Sequence, residues 1–214
     1  MTNTTETSGK NEQPVGIVAE AVAFIKTLIV ILGLAFLIRV QVVEPFKIPS
    51  GSMIPTLEVG DYIIVLKFWY GLRIPFIKEP VVEWRTPSRG DVVVFTRPDD
   101  PATPHEDDSS IHIIKRVIGL PGDTVEVRGA QVFINGTKLE ERYARWVAGG
   151  SLDGYFGPQQ IPDGHVLLLG DNRDQSKDSR YWTNPFLDIK RIKGKAVLVF
   201  FSTYSLGRIG TLIR

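Results

Sequence analysis

The stretch Ile111-His112-Ile113-Ile114-Lys115-Arg116-Val117-Ile118-Gly119-Leu120-Pro121-Gly122-Asp123 decides how the chain is read. A short apolar run closed by Gly, Pro and Asp has the pattern of one strand in an all-β domain. Alternate residues of a strand share a face, so Ile111, Ile113, Lys115 and Val117 point one way and His112, Ile114, Arg116 and Ile118 the other. Lys115 therefore interrupts an apolar face. Either it reaches solvent at a strand edge, or it is desolvated, which lowers its pKa and makes it a usable base. A shift from ~10.4 to ~8 is roughly 3.3 kcal/mol of destabilised ammonium, within what burial supplies. His112 lies on the opposite face, which argues against a serine paired with that histidine and leaves His105 and His165 untouched.

The same pattern recurs on both sides. Strands are predicted over Tyr62–Leu66, Val92–Thr96, Ile111–Ile118, Thr124–Val127, Gln131–Ile134, Val166–Leu169 and Ala196–Phe201. Between Val132-Phe133-Ile134 and Lys138-Leu139, Asn135-Gly136 predicts a hairpin, since both residues tolerate the positive φ of a type I′ turn. Arg97–Ser110 and Ala148–Pro162, rich in Pro and in acidic residues or Gly, are predicted as loops. The expected fold is mainly β: a compact antiparallel β domain over residues 41–214.

Toward the N-terminus the character changes. From Ala21 to Ile38, 15 of 18 residues are hydrophobic. The 22 residues Ile17–Ile38 make about 33 Å of helix, which matches a hydrocarbon core of ~30 Å. This predicts one transmembrane anchor over residues 17–40, behind a polar, disordered tail over residues 1–16. A buried core helix and a cleaved signal peptide are the competing readings. The second wants a basic start and a small-x-small exit, whereas the stretch leaves through Leu37-Ile38-Arg39-Val40-Gln41. Charge does not orient the span, because Lys10 and Lys26 on one side face Arg39 and Lys47 on the other.

Composition narrows the chemistry. With 25 basic against 24 acidic residues among 214, the chain lacks the field that holds nucleic acid, so no nucleic-acid partner is expected. Zero cysteine excludes a thiolate nucleophile and Cys-ligated metals. Three scattered histidines argue against a metal site, and no cofactor is expected.

Two further segments carry polar groups in dense array. Phe46-Lys47-Ile48-Pro49-Ser50-Gly51-Ser52-Met53-Ile54-Pro55-Thr56-Leu57 sets two serines around a glycine between two prolines. This is a shaped turn, either a plain connection or one that presents a hydroxyl beside backbone amides. Gly170-Asp171-Asn172-Arg173-Asp174-Gln175-Ser176-Lys177-Asp178-Ser179-Arg180-Tyr181-Trp182 follows an apolar strand. As a calcium loop it fails, with Arg173 in a ligand position in one register and Ser179 in the glycine position of the other. A network in which Asp178 pairs with Arg180 or Arg173, and Ser176 is available to a lysine amine, suits its donors and acceptors.

Together with Arg89-Gly90-Asp91-Val92-Val93-Val94-Phe95, these segments resemble, in order and spacing, the bacterial type I signal peptidases. The resemblance covers about Phe46 to Ser202. It implies that Ser52 is the nucleophile, Lys115 the general base of a Ser/Lys dyad, and Ser50 with the Ser52 amide the oxyanion hole. Ser176 would orient the Lys115 amine, Asp178 and Arg180 would pair behind it, and Gly170 would leave room for the lysine. Phe46, Ile48, Pro49, Met53, Ile63 and Ile113 sit where the family lines its substrate pockets. The chain departs from the family at Lys177, where a small residue is common, at Thr183-Asn184, where a glycine is usual, and at His112-Ile113. About 40 residues separate Gly122 from His165, so a small second β lobe is expected over residues 124–165.

The implied function is a membrane-anchored serine endopeptidase. It would remove signal peptides from membrane-bound preproteins after small residues at −1 and −3, on the extracytoplasmic (periplasmic) side of the inner (cytoplasmic) membrane. Its expected partners are those signal peptides and the lipid bilayer. Ser52 lies 14 residues beyond Ile38, within about 48 Å of the membrane even if fully extended. Phe68-Trp69-Tyr70 is either an interfacial aromatic contact or part of a buried cluster. Two other functions stay open: a Ser/Lys self-cleaving regulator, and a catalytically silent, membrane-tethered module that binds preproteins.

Overall fold

A computed structural model of the chain describes residues 16–72, 81–96, 112–147 and 155–214. The predicted tail through residue 15, the loop 97–110, Ile111 and residues 148–154 lie outside the described residues. The chain divides into two units, residues 1–38 and residues 39–214.

The first unit carries all but the last three residues of helix α1, Ile17–Gln41. Its sequence has no proline and a single glycine, Gly33, and is otherwise almost wholly Ala, Val, Ile, Leu and Phe. The Thr27 hydroxyl donates to the Ala23 carbonyl one turn back, so even this polar side chain is satisfied within the helix. None of the side chains from Ala19 to Phe36 is buried, and the helix is long and apolar enough to cross a membrane. Phe24, Ile29, Val30 and Phe36 are all exposed, so the apolar surface runs around the helix instead of along one stripe.

Among the described residues the second unit has thirteen strands: β1 (Val43–Lys47), β2 (Asp61–Leu66), β3 (Gly71–Leu72), β4 (Val82–Glu83), β5 (Val92–Thr96), β6 (His112–Gly119), β7 (Thr124–Arg128), β8 (Gln131–Ile134), β9 (Thr137–Lys138), β10 (Phe156–Gln160), β11 (His165–Leu169), β12 (Phe186–Asp188) and β13 (Ile192–Ser202). A seven-stranded sheet runs β1-β2-β13-β5-β6-β11-β12, and a four-stranded sheet runs β10-β7-β8-β9. The pairings between these strands are antiparallel. Each of the seven predicted strands is present.

Strand β5 explains how the large sheet packs. Val92 and Val94 enter one cluster with Ile48, Met53, Leu57, Ile63, Val65, Ala196 and Val199. Val93 and Phe95 enter another with Tyr70, Val117, Val166 and Leu168. A strand buried on both faces has to be apolar throughout, which is why Val92-Val93-Val94-Phe95 shows no alternation. The small sheet closes its own cluster, Val125, Val127, Val132 and Ile134, against Ile118, Leu167 and Leu169 at the ends of β6 and β11. Asn135 at φ 52° and Gly136 at φ 79° join β8 to β9.

One predicted loop needs correction. Within Ala148–Pro162, residues Phe156–Gln160 form β10 and pair with β7 across a register break between Phe156 and Gln159. Gly157 has φ 80° and no room for a Cβ, which would strike the Val125 carbonyl. A glycine and a proline that read as loop composition are here the residues of a bulge. The Phe68-Trp69-Tyr70 trio divides: Phe68 is exposed, Trp69 is half-buried with Arg85 and Lys195 on its ring, and Tyr70 is buried with its hydroxyl on Asp91 (2.9 Å).

Candidate active site

The turn after β1 is fixed before it is functional. Ile48 donates to the Asp61 carbonyl (2.8 Å) and Gly60 donates back to Ile48 (2.9 Å), closing a loop at the sheet end. Inside it, Gly51–Met53 form a single 3-10 turn that Ser50 enters in an extended conformation. Met53 is buried in the first cluster and anchors the turn, while Pro49 and Ser50 are exposed at its entrance. The Ser52 amide lies at the open N-terminal end, where amides have no partner within a turn.

Lys115 meets this turn from β6. Ile113 and Val117, its neighbours by alternation, pack into the cluster of Tyr70 and Phe95. The lysine is 4% exposed. Its Nζ lies 2.8 Å from Ser52 Oγ and 3.0 Å from the Ile114 carbonyl oxygen. Of the two readings open for Lys115, the structure shows the desolvated one. Burial pushes its pKa down to about 8, against the opposing fields of Asp178 and Asp171.

The loop after β11 supports both residues. Asn172 donates its amide to the Ser52 carbonyl (3.1 Å) and its Nδ2 to the Gly51 carbonyl (3.0 Å), so it grips the serine turn by the backbone. Asp178 is fully buried and accepts from the Gly170 amide (3.0 Å) and from Arg180 Nε (2.8 Å) and Nη2 (2.9 Å). Asp178 thus pairs with Arg180, and Arg173 pairs instead with Glu141. At Gly170 a Cβ would strike Ser176 Oγ and approach the Ser52 carbonyl oxygen to 2.5 Å. Ser176 Oγ is itself buried, with no hydrogen-bond partner among the described residues. A hydroxyl in that state is an acceptor and donor awaiting a neighbour.

Phe46, Ile48, Met53 and Ile63 pack in one cluster, and the β6 residue that joins them is Ile114. Ile113, read from the sequence as their companion, packs on the opposite side with Val93 and Val117. Strand alternation makes this unavoidable for consecutive residues. Lys177 is exposed between the buried Ser176 and Asp178. His112 lies edge-on to Phe46, with ring centroids 5.2 Å apart, and His165 Nδ1 is 2.9 Å from the Asp163 carbonyl oxygen. Neither histidine is hydrogen-bonded to Ser52.

A second buried network lies beside the lysine and was not read from the sequence. Arg116 is fully buried and donates Nε to Asp171 Oδ1 (2.8 Å) and Nη2 to Asp171 Oδ2 (2.6 Å). Its Nη1 donates to the Gly90 (2.7 Å) and Arg214 (2.8 Å) carbonyls, and the Tyr143 ring covers its face at 3.9 Å. Thr56 also donates to Asp171.

The sequence pattern of the signal peptidase family, peptidase S26, matches residues 21–201. The chain belongs to that family. It is similar to signal peptidase I of Pseudomonas fluorescens, with 37% identity over 91% of this chain and 80% of that protein. It is likewise similar to signal peptidase I of Pseudomonas aeruginosa, with 38% identity over 83% of this chain and 71% of that one. Signal peptidase I of Leptolyngbya laminosa is 40% identical over 87% of this chain and 82% of the relative. As a peptidase of family S26 the chain is a serine endopeptidase. Its antiparallel β unit behind one apolar N-terminal helix is the fold expected from the resemblance.

Proposed function

We propose that the chain cleaves signal peptides from membrane-bound preproteins with Ser52 as nucleophile and Lys115 as general base. The observation that carries this reading is the 2.8 Å approach of Lys115 Nζ to Ser52 Oγ in a buried site. Burial leaves much of the lysine neutral near pH 8, so it can take a proton. Neutral Lys115 removes the Ser52 proton as Oγ attacks the scissile carbonyl carbon. The developing oxyanion is met by the Ser52 amide and the Ser50 hydroxyl. The lysine ammonium then protonates the leaving amine, and the first product departs. In the second half Lys115 activates water, which attacks the acyl-enzyme and regenerates Ser52.

Ser176 orients the lysine amine through its otherwise unpartnered hydroxyl, which Gly170 permits to come close. Asp178 and Arg180 pair behind it. The cluster of Phe46, Ile48, Met53, Ile63 and Ile114, with Pro49 at its edge, lines the pockets for small residues at −1 and −3. Helix α1 anchors the enzyme in the inner membrane bilayer, with the β unit on the periplasmic side, so that enzyme and preprotein share one membrane. Preprotein processing by Ser52→Ala and Lys115→Met tests the dyad: both are expected to be inactive, and normal cleavage by either overturns it. The rate of the wild-type enzyme should rise with pH through a midpoint near 8. A profile flat down to pH 5 excludes a lysine base.

A further inference from the structure

Behind Ser52 and Lys115 stand three buried guanidinium groups, those of Arg116, Arg173 and Arg180. One irregular stretch, Glu141–Val147, touches all three. Glu141 grips Arg173 with both oxygens, Oε2 accepting from Nη1 at 2.8 Å and Oε1 from Nη2. The Tyr143 ring lies 3.9 Å from Arg116, and the Trp146 ring lies 5.6 Å from Arg173 and 5.9 Å from Arg180. The backbone is stitched to the same loop. Arg145 donates to the Asp171 carbonyl (2.7 Å), its own carbonyl accepts from the Arg173 amide (2.9 Å), and the Val147 amide donates to the Asp174 carboxylate. The stretch adds no strand to either sheet.

We infer that Glu141–Val147 is a positioning strap for the catalytic loop, with Glu141 as its anchoring residue acting through Arg173. The Gly170 peptide is held at both ends, its amide on Asp178 and its carbonyl by Arg173 Nε at 3.0 Å. Gly170 is packed against Ser176 and the Ser52 carbonyl, and Asn172, two residues on, is bonded to that same carbonyl. Arg173 therefore sets the place of the group that separates Ser176 from Ser52, and Glu141 sets the place of Arg173. This rests on the Ser52–Lys115 reading above.

The charges around the lysine give the test its discriminating readout. Lys115 faces the Ser52 hydroxyl from the turn after β1, and Asp171 and Asp178 from the loop after β11. Arg116 and Arg180 are paired to those two carboxylates, and Arg173 is paired to Glu141. Removing the Glu141 charge leaves Arg173 buried without its carboxylate. The unbalanced cation opposes the ammonium form of Lys115, so the alkaline rise in rate moves to lower pH.

The experiment is steady-state cleavage of a peptide with small residues at −1 and −3 by the full-length enzyme in detergent, from pH 5 to pH 10. For Glu141→Gln, kcat is expected to fall about tenfold or more, as loss of alignment at a reacting pair does, with KM within about twofold. The acid limb is expected to shift downward. Glu141→Asp, which keeps the charge on a shorter arm, should restore the limb and part of kcat. Wild-type kcat and limb in Glu141→Gln overturn the inference, and so does a lower kcat with an unmoved limb, which is a structural role only. If Glu141→Gln does not fold, Trp146→Leu, which uncovers Arg173 and Arg180 without removing a charge, decides through kcat: a fall that Trp146→Phe restores supports the strap, and wild-type kcat, or a fall that Trp146→Phe does not restore, overturns it. Ser52→Ala and Lys115→Met run alongside. Activity in those two overturns the dyad itself, whereas their silence with a normal Glu141→Gln overturns the strap alone.

Discussion

Lys115 and Arg116 are consecutive residues of one strand and both are buried cations, 4% and 0% exposed. Their surroundings differ completely. Arg116 has a bidentate carboxylate, two carbonyls and an aromatic ring around its guanidinium. Lys115 has a serine hydroxyl and one carbonyl within hydrogen-bond reach. The same burial therefore has two outcomes. Where a carboxylate is aligned with the cation, burial makes an anchor. Where none is, it leaves a group that can serve as a base, provided the group can lose its proton, which lysine can and arginine cannot.

The comparison breaks most visibly at Lys115. Both Lys115→Arg and Lys115→Met are expected to lower kcat/KM by about 10⁴-fold, near 5 kcal/mol of barrier, because neither accepts a proton. A Lys115→Arg enzyme that cleaves preprotein at more than a few per cent of normal rate would make charge, not basicity, the lysine's contribution. Next in size is the anchor. Asp171→Asn leaves Arg116 buried without its counter-charge, and about 4 kcal/mol of unfolding free energy should be lost in urea titrations. A loss below about 1 kcal/mol would mean that the two carbonyls and the Tyr143 ring suffice, and that the carboxylate is dispensable.

A third test turns on sign. Lys115 titrates at about 8 when folded and near ~10.4 when unfolded. Between those values the unfolded chain binds more protons, so stability should rise with pH across the window and level off above it. Below about 8 the folded enzyme carries a buried ammonium. Lys115→Met removes that penalty, and at pH 7 the inactive variant is expected to be more stable than wild type by about 2 kcal/mol. Equal or lower stability would show that the ammonium is better accommodated than its surroundings suggest. Smallest is Thr56→Val, which deletes one hydroxyl from the Asp171 end of the anchor and should cost about 1 kcal/mol. It leaves the pH profile in place if the two cations act independently.

The legible part of the fold was the part that obeys a period or a turn rule. Strands β2, β6, β7 and β8 alternate or end at Gly, Pro or Asn-Gly, and β5 announces itself as a continuous apolar run. Strand β1 was hidden because Glu44, Pro45 and Lys47 are tolerated only at a sheet edge, and edge position is a property of the assembled sheet. β10 was hidden by Gly157 and Pro158, and β12, at three residues, is too short for any period. In the site, Lys115 stood out because it breaks an apolar face. The partner of Arg173 did not: Glu141 lies 32 residues away, and nothing local marks it. Ile113 and Ile114 could not be told apart from the strand alone, because Lys115, on the face of Ile113, reaches Ser52 while Ile114, on the other face, packs with Met53 of the same turn.

Gly170 sets a limit of clearance on the site. Its α-hydrogen fills the gap between Ser176 and the carbonyl of Ser52, and a methyl group there overlaps both. The working clearance of this enzyme is thus smaller than one carbon atom. A machine with such a tolerance has almost no mechanical play: a bulkier residue at position 170 has to push the two hydroxyl-bearing segments apart, and if Ser52 and Lys115 are the dyad proposed above the misfit is transmitted directly to the reacting atoms. The hydrogen atom works as a feeler gauge, and the serine turn and the loop after β11 are fitted together around its thickness.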